Sequence, residues 1–452
     1  MTTTITDAPA LRGLQGRVIA PGDGDYDAAR SVFYGGVDRR PAAIVRVANA
    51  QDVARVIAYA RDSGLELAVR SGGHSLAGYS VCEGGIVIDL HDMKALAIDA
   101  ERRTAWAETG LTAVEYSAAA NAHGLATGFG DTGSVGIGGI TLGGGVGYLA
   151  RKYGLTVDSL IGAEIVTADG AIRTVDAENE PELFWAVRGG GGNFGVATRF
   201  HYVLNPVGIV VGGMLIQPAT AELIASFMSI ADAAPEELTT IANVMPAPPM
   251  PFVPAEHHGK LVVMSLIVHT GAPADAERDL AKLRALATPI VDMLRPMPYP
   301  EIYPPEDPSY HPIGPARNMF VDKIDRASAE AIVEHLATST ASFSVAQLRV
   351  LGGAVARVPD DATAYAHRKR RIMVNLAALV DRAEEVAQHR PWLERFATAI
   401  ASGGPGAYVN FLEDGSRLAE AYPGKTLERL RAVKRRYDPQ NLFHLNLNVT
   451  PA

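Results

Sequence analysis

Residues 128–147 form the densest glycine stretch of the chain, with glycine at ten of twenty positions. Glycine loses more backbone entropy on folding than any other residue, so this stretch cannot form a helix or a regular strand without a heavy cost. A collagen-like or linker segment is excluded, because there is no three-residue period and apolar residues are interleaved with the glycines. Those residues are Val135, Ile137, Ile140, Leu142 and Val146. The stretch is therefore expected to wrap around a ligand.

A second glycine turn lies earlier, where Ser-Gly-Gly-His occupies positions 71–74. Apolar residues at 65, 67 and 69 alternate with other residues, which predicts a strand that runs directly into this turn. Two glycines let amide N–H groups approach an anion closely, so the turn is a candidate phosphate cradle. His74 places a nucleophilic nitrogen at its mouth. The alternative is a surface turn whose histidine is incidental.

Length, charge and cysteine content exclude several classes of protein. A chain of 452 residues exceeds one ordinary core, so two domains are expected. The net charge of −9 argues against nucleic acid as a partner. The single cysteine, Cys82, excludes an internal disulfide and a cysteine-based metal cluster. Residues 1 to about 15 look like a loose leader without signal-peptide features, and no segment is apolar enough to span a membrane, so a cytoplasmic protein is expected.

The order of the predicted elements indicates an α/β beginning and a second, α+β domain. A strand near 41–47 precedes a helix at 52–63, with Asn49 as its N-cap and Gly64 at its end. A further helix is predicted at 112–123. After Pro206 the dense glycine clusters cease, and helices are predicted at 219–234, 274–287, 328–339 and 380–402, the last broken or kinked at Pro391. Strands are predicted between them at 261–268, 344–351 and 372–379.

Several familiar motifs fail on context. Gly190, Gly192 and Gly195 satisfy G-x-G-x-x-G, but they follow a helix and open a strand, which is the reverse of the dinucleotide fingerprint. The sequence at 73–77 lacks the last glycine of a nucleophile elbow, so a serine hydrolase is a weaker second interpretation. His257 and His258 are adjacent, which is poor metal-ligand spacing. Several glycine loops and a histidine without an NAD fingerprint fit a flavin dinucleotide bound outside a Rossmann fold.

Five motifs, in this order, carry a resemblance to a known family. They are Arg-Ser-Gly-Gly-His-Ser at 70–75, the glycine-rich segment at 134–148, Lys-Tyr-Gly-Leu-Thr-Val-Asp at 152–158, the segment Leu-Phe-Trp-Ala-Val-Arg-Gly-Gly-Gly-Gly-Asn-Phe-Gly-Val at 183–196 and Tyr-Asp-Pro-Gln-Asn-Leu-Phe at 437–443. The chain resembles the FAD-linked oxidases of the vanillyl-alcohol-oxidase superfamily. Within it, the chain is similar to the berberine-bridge-enzyme branch and to its bacterial members of the 6-hydroxynicotine oxidase kind. The resemblance covers about residue 17 to the C-terminus.

The resemblance implies an α+β protein in three parts. Residues 17–206 would form a two-part, PCMH-type FAD-binding domain, and residues 207–405 a substrate domain with an antiparallel sheet covered by helices. Residues 406–452 would return to the FAD domain. His74 is then expected to bond covalently to the flavin 8α-methyl carbon, which suits a neutral imidazole. Many relatives add a second link from a cysteine where this chain has Thr132, so a single link is expected, with Cys82 serving only in packing.

The resemblance also assigns the contacts to FAD. Arg70, Ser71, Gly72, Gly73 and Ser75 belong to the first turn, where the serines and glycines would contact the pyrophosphate. The remaining positions are Gly138, Gly139, Thr141 and Gly143 along the dinucleotide, Gly195 and Val196 near the adenosine, and Asn446 and Asn448 in the tail that closes over the flavin. Val135 matches a position thought to control oxygen access, where a small residue suits an oxidase. No metal is expected.

On the substrate side, Tyr408 matches a tyrosine that takes the substrate proton in several relatives. Gln347 and Arg349 share one face of a predicted strand and match positions over the flavin. An acid stands at the position of Arg349 in sugar-oxidising relatives, so a carbohydrate is disfavoured, and the guanidinium could stabilise a tyrosinate. The alternative for Tyr408 is a buried tyrosine that donates to a backbone carbonyl. The aromatic and methionine residues expected to line the substrate site are Met297, Tyr299, Tyr303, Tyr310 and Met319.

The function expected from these residues is oxidation of a medium-sized, partly apolar small molecule at a C–H bond beside an alcohol or amine. O2 would be reduced to H2O2, and the protein would be a monomer or a homodimer. Three alternatives stay open: a dehydrogenase, a catalyst of net non-redox cyclisation, and a protein that uses FAD only structurally.

Overall fold

The computed structural model describes residues 11–452, so most of the predicted leader lies outside the described residues. The chain begins with a four-stranded sheet in the order Arg17–Ile19, Ala43–Arg46, Ile86–Asp89 and Leu67–Arg70. The last three strands are parallel, and the first pairs antiparallel with its neighbour. Parallel strands need a crossover connection, and helix Ala50–Ser63 supplies it between two of them.

This helix begins and ends where the sequence predicts. The side chain of Asn49 accepts a hydrogen bond from the backbone N–H of Asp52 at 2.9 Å. Gly64 follows the last turn with a φ of 63°, a left-handed conformation that glycine adopts without strain. Its buried face packs on the sheet through Val53, Val56 and Ile57. The neighbouring strand, Leu67–Arg70, therefore delivers the Ser-Gly-Gly-His turn at a fixed place.

A five-stranded antiparallel sheet follows, in the order Leu96–Asp99, Thr104–Glu108, Val196–Val203, Leu160–Val166 and Ile172–Val175. Leu125–Ala126 pairs separately with Asn205–Pro206. Helix Ala113–Asn121 begins with a capping box, in which Thr112 and Glu115 satisfy each other's backbone N–H groups. Short helices complete this part at Tyr26–Arg30, Ala150–Tyr153, Thr156–Asp158 and Pro181–Val187.

The expectation that the glycine stretch holds no helix is wrong, because Ile137–Leu142 is helical. A side chain at Gly138 would bring its Cβ within 2.9 Å of the Ser71 hydroxyl oxygen. The entropic cost of glycine here is thus offset by close packing of the helix against the side chain of Ser71, which an argument from local propensity does not include.

The large sheet is antiparallel throughout and accounts for the second part of the chain. Its strands run in the order Val291–Asp292, Ile209–Pro218, Leu261–His269, Leu238–Pro246, Phe343–Val350, Ile372–Leu379 and Ala316–Val321, with Arg295–Pro298 also paired to Ile209–Pro218. One face packs against helices Ala221–Ala233, Pro273–Arg284, Arg326–Ala337 and Val386–Ile400. The last helix continues through Pro391, so of the two predicted alternatives, a break or a kink, the break is wrong. Short helices lie at Ala255–His257, Tyr299–Ile302, Ala354–Arg357 and Ala383–Glu385.

The C-terminal segment packs against the first part of the chain. It contains helices Val409–Phe411, Gly415–Arg417, Leu418–Ala421 and Lys425–Tyr437. The fully buried Lys434 donates to Asp438 at 2.6 Å and to the carbonyl of Asn193 at 2.8 Å. Asn193 donates in turn to the carbonyl of Leu447 at 3.2 Å. These bonds hold the last residues beside the glycine run at 189–192.

Candidate active site

One cavity of about 310 Å³ collects most of the predicted cofactor residues. The first glycine turn, the glycine stretch, the 191–197 segment and the C-terminal segment all contribute to its wall. The predicted residues that line it are Ser71, Gly72, Gly73, His74, Ser75, Val135, Gly138, Gly139, Gly195, Val196, Tyr408 and Asn446. Residues that are distant in sequence therefore meet around one ligand-sized space.

The first two glycine segments touch backbone to backbone. A Cβ on Gly136 would lie 2.2 Å from the backbone nitrogen of Gly72 and 2.2 Å from the Ser71 hydroxyl oxygen. A Cβ on Gly139 or Gly192 would instead meet nothing within 4 Å, and both residues line the cavity. Glycine is thus required at Gly136 by packing, and at Gly139 and Gly192 it leaves open space for a bound molecule.

These residues fit a flavin dinucleotide. The side-chain oxygen of Asn446 is buried without a hydrogen-bond partner in the described chain, although its amide group donates to Gly192 at 3.2 Å. An unpaired buried acceptor is costly, and a polar ligand group in the cavity would satisfy it. Together with the glycine-lined space, it forms a site for an extended, hydrogen-bonding ligand.

His74 is held on two sides. Its ring stacks on Phe33 with a centroid separation of 4.1 Å and an interplanar angle of 21°. Its Nε2 lies 2.9 Å from the hydroxyl oxygen of Ser134, which also bonds to the carboxylate of Glu306. Burial lowers the pKa of His74 to about 4, against the opposing effects of Glu306 and Asp131. The imidazole is therefore neutral at pH 7, as a nucleophile must be.

Tyr408 presents a buried phenol to the cavity. Its oxygen accepts hydrogen bonds from the backbone N–H groups of Gly145 at 3.0 Å and Val146 at 3.3 Å, and from the side chain of Asn410 at 2.9 Å. Burial raises the pKa of Tyr408, while these three donors and Arg349 oppose the rise. The alternative of a phenol that donates to a carbonyl does not describe this contact, because the oxygen is surrounded by donors.

Gln347 and Arg349 lie on one face of strand Phe343–Val350, as predicted, and Arg349 donates to the Gln347 carbonyl oxygen at 2.7 Å. Arg349 also forms a buried ion pair with Asp131 at 2.7 Å. Neither residue of the strand lines the cavity, whereas Asp131 does. The guanidinium is thus ion-paired with Asp131, and within residues 11–452 it makes no hydrogen bond to Tyr408.

Four predicted cofactor residues lie outside the cavity wall. Arg70 bonds to the carbonyl of Ala29, and the Thr141 hydroxyl lies 2.8 Å from that of Tyr202. A Cβ on Gly143 would overlap Asn410, so this glycine makes room for the partner of Tyr408. The fourth residue is Asn448, whose buried side-chain oxygen has no partner in the described chain.

The prediction that five apolar or aromatic residues line the substrate site is wrong for this cavity, since none of them is in its wall. Tyr299 and Tyr303 are buried in the main core, where Tyr303 donates to the carbonyl of Phe129 at 2.8 Å. Met297 packs in the same core, Met319 packs under the large sheet, and Tyr310 is 55% exposed. The aromatic wall consists instead of Phe33, Tyr34, Tyr79, Tyr408, Phe411, Tyr422 and Phe443.

Sequence reasoning missed the residues that hold the predicted ones in place. They are Phe33, Asp131, Ser134, Glu306 and Asn410. Three of them had a local signal: Asp131 and Ser134 lie in the glycine stretch, and Asn410 lies two positions after Tyr408.

Three further observations concern the single cysteine, metal sites and membrane-spanning helices. Cys82 is buried away from the cavity wall, and burial raises the pKa of its thiol to about 11. Within residues 11–452, no group of three or more His, Cys, Asp or Glu residues has the arrangement of a metal site. None of the helices in this range is both long and apolar enough to cross a bilayer.

Comparison with known proteins identifies two family matches. The family described as FAD binding domain matches residues 41–176, and the family described as Berberine and berberine like matches residues 407–450. (R)-6-hydroxynicotine oxidase from Paenarthrobacter nicotinovorans is 33% identical over 97% of this chain and 97% of that protein. An uncharacterised FAD-linked oxidoreductase of Bacillus subtilis (strain 168) is 30% identical, with 97% of both chains covered.

Solved structures agree with these matches. The crystal structure of 6-hydroxy-D-nicotine oxidase from Arthrobacter nicotinovorans has a TM-score of 0.85 at 30% identity, covering 97% of this chain and 98% of that chain. Chitooligosaccharide oxidase has the same fold, with a TM-score of 0.83 at 22% identity and 97% of both chains covered. The predicted α+β class with a PCMH-type FAD-binding fold is confirmed. The chain belongs to the berberine-bridge-enzyme-like family and is an FAD-linked oxidoreductase, as its sequence motifs predicted.

Proposed function

We propose that this protein is an FAD-dependent oxidase that removes hydride from a C–H bond beside an alcohol or amine and reduces O2 to H2O2. The observation that carries the proposal is the phenol oxygen of Tyr408, which lines the same cavity as His74 and accepts three N–H hydrogen bonds. The relative named as a hydroxynicotine oxidase, 33% identical, supports oxidation of a nitrogen-containing small molecule.

In this proposal His74 attaches FAD covalently through a single link. The imidazole lines the cavity, is neutral at pH 7, and is fixed by Phe33 and Ser134. Thr132 lines the cavity at the position of the second linking residue in many relatives, and Cys82 lies outside the wall. FAD bound here would supply the acceptor for the substrate's hydride, which carries two electrons.

Tyr408 is proposed to accept the proton that the substrate loses. Removing a proton requires an oxygen that can carry negative charge, and N–H donors stabilise such an oxygen because they need no reorganisation. Asn410, Gly145 and Val146 provide those donors. Arg349 and Gln347 act indirectly. Gln347 accepts a hydrogen bond from Arg349, and Arg349 donates to Asp131 and holds it in the cavity wall.

The cavity wall favours a medium-sized, partly apolar substrate such as a secondary metabolite. Phe33, Tyr34, Tyr79 and Phe411 provide apolar surface. Asp131 also lies in the cavity wall, and its carboxylate is paired with Arg349 at 2.7 Å, so the wall offers little unpaired charge. Arg349 stands at the position of the acid in sugar-oxidising relatives, which disfavours a carbohydrate.

The assignment of parts follows from the same proposal. We propose that residues 17–206 bind FAD, that residues 207–405 bind the substrate, and that residues 406–452 close over the flavin. The partners would be the small-molecule substrate and O2, without nucleic acid or membrane. The protein would work in the cytoplasm as a monomer or homodimer.

An anaerobic screen of alcohols and amines tests the activity. A substrate should bleach the flavin absorption band, and readmitted O2 should restore it with one H2O2 per turnover. Bleaching without H2O2 would favour a dehydrogenase, and product without net oxidation would favour a cyclisation catalyst. For the link, wild-type protein should keep its yellow colour in an acid precipitate, and His74→Ala should release it. Equal release from both would refute attachment at His74.

A further inference from the structure

A chain of hydrogen bonds leads from His74 to the protein surface through Glu306. Glu306 is an exposed residue that reaches Ser134 across 172 positions of sequence. One carboxylate oxygen accepts from the backbone N–H of Ser134 at 2.9 Å, and the other accepts from its hydroxyl group. The same hydroxyl oxygen lies 2.9 Å from Nε2 of His74.

The charge of the carboxylate determines which group donates and which accepts in each of these hydrogen bonds. An ionised carboxylate can only accept, so the Ser134 hydroxyl donates its proton to Glu306. The hydroxyl oxygen then accepts from His74, which places the imidazole proton on Nε2. A neutral imidazole has one N–H, so Nδ1 carries a free lone pair. No hydrogen bond to Nδ1 occurs within residues 11–452.

We propose that Glu306 and Ser134 are positioning residues for the attachment of FAD to His74. They hold the imidazole in the tautomer whose Nδ1 is nucleophilic, and they carry away the Nε2 proton after Nδ1 has bonded. This inference rests on the proposed link at His74. Phe33 stacks on the imidazole, and this contact together with the bond to Ser134 holds Nε2 on the side of the hydroxyl.

Covalent attachment needs a two-electron oxidant, and the O2 used in the proposed oxidase reaction supplies it. A bond forms between Nδ1 and the 8α carbon, while one C–H bond of the 8α-methyl group and the N–H bond at Nε2 break. Both hydrogens leave as protons, the Nε2 proton passing through Ser134 to Glu306 and on to water. The electron pair of the C–H bond remains on the ring system, which is reduced by two electrons. O2 then takes up two electrons and two protons to give H2O2.

The test follows covalent attachment rather than turnover. Full-length protein made under riboflavin limitation is mixed with FAD in air, and acid-stable flavin is measured over time. Ser134→Ala and Glu306→Gln should each slow attachment at least tenfold, while non-covalent FAD binding persists. Ser134→Thr and Glu306→Asp, which keep the hydroxyl and the carboxylate, should restore most of the rate. Glu301→Gln is the matched control, because Glu301 pairs with Arg295 at 2.8 Å.

The double variant separates a relay from a structural effect. Because the two residues act in one series of hydrogen bonds, Ser134→Ala/Glu306→Gln should attach FAD no more slowly than the slower single variant. Attachment at the wild-type rate in Ser134→Ala or in Glu306→Gln, or multiplicative losses in the double variant, would overturn the relay. If wild-type protein forms no acid-stable flavin, the proposed link at His74 fails instead, so the two failures are distinguishable.

Discussion

Gly136 and Gly139 lie three positions apart in the glycine stretch, and the same added methyl group should have opposite effects at the two sites. In Gly136→Ala the new Cβ would lie 2.2 Å from both the Gly72 nitrogen and the Ser71 hydroxyl oxygen. Backbone atoms cannot yield without separating the two loops, and overpacking of this kind costs about 1–3 kcal/mol. We expect a less stable protein.

Gly139→Ala should spare the fold and damage the cavity. Its Cβ meets nothing within 4 Å, and alanine inside helix Ile137–Leu142 should gain about 0.5–1 kcal/mol over glycine. The methyl group occupies space beside the proposed FAD site, so flavin uptake should fall although stability does not. The two variants therefore distinguish a glycine that is needed for packing from a glycine that is needed for FAD binding.

Both quantities are measured on flavin-free, full-length protein, because a bound ligand would itself stabilise the folded state. Urea unfolding gives the change in stability, and titration with FAD gives the uptake. Gly136→Ala with wild-type stability would refute the close contact between the loops. Gly139→Ala with wild-type flavin uptake would refute the cradle.

Three further predictions concern the base, oxygen access and the buried tail. Tyr408→Phe should lower kcat/KM about 10²- to 10⁴-fold, the usual contribution of a general base. In the wild type, burial raises the pKa of Tyr408, so the active, deprotonated form grows as pH rises, and kcat/KM should climb through the alkaline range. Val135→Leu should slow reoxidation by O2 in stopped flow and leave flavin reduction unchanged. Lys434→Met should reduce the unfolding free energy by about 3–5 kcal/mol, because it leaves the buried Asp438 carboxylate without its counter-charge and with only the backbone N–H groups of Leu442 and Phe443 as donors.

Each of these has an outcome that would contradict it. Tyr408→Phe also leaves the buried backbone N–H groups of Gly145 and Val146 without this acceptor, so the covalent flavin content of the variant is measured as a control. A pH profile of kcat/KM that is the same in the variant and the wild type would exclude Tyr408 as the base. Equal reoxidation rates would remove Val135 from oxygen access. Wild-type stability in Lys434→Met, measured by urea unfolding, would show that the N–H donors of Leu442 and Phe443 stabilise the Asp438 carboxylate without Lys434.

The parts of the fold that were predictable have signals within a few residues. Asn49 and Gly64 bound one helix, and Thr112 caps another, because caps satisfy backbone groups one turn away. The helix within the glycine stretch was missed for the opposite reason. Gly138 is used there because Ser71 lies against it, and no local pattern shows that contact.

The site itself was predictable where a motif carries it, and otherwise was not. His74 stands in a recognisable turn, but Glu306 reaches its neighbour Ser134 from 172 positions away. Tyr303 was expected in a substrate wall because it is aromatic. Its hydroxyl bonds to Phe129 in the core instead, and composition alone cannot distinguish a buried tyrosine from a lining one.

Tyr408 joins the two halves of the proposed chemistry because each end of it is held by a different part of the chain. Its backbone N–H donates at 2.7 Å to Asn318, which lies in strand Ala316–Val321 of the large sheet. Its phenol oxygen is held by the glycine stretch, at Gly145 and Val146. A shift of the large sheet would therefore move the base relative to the FAD cavity. Asn318 also donates to the carbonyl of Phe411 at 2.6 Å, so the same buried amide fixes the position of one wall of the cavity. In the proposed reaction, where the substrate binds against this sheet and Tyr408 is the base, Asn318 would couple substrate binding to the alignment of Tyr408.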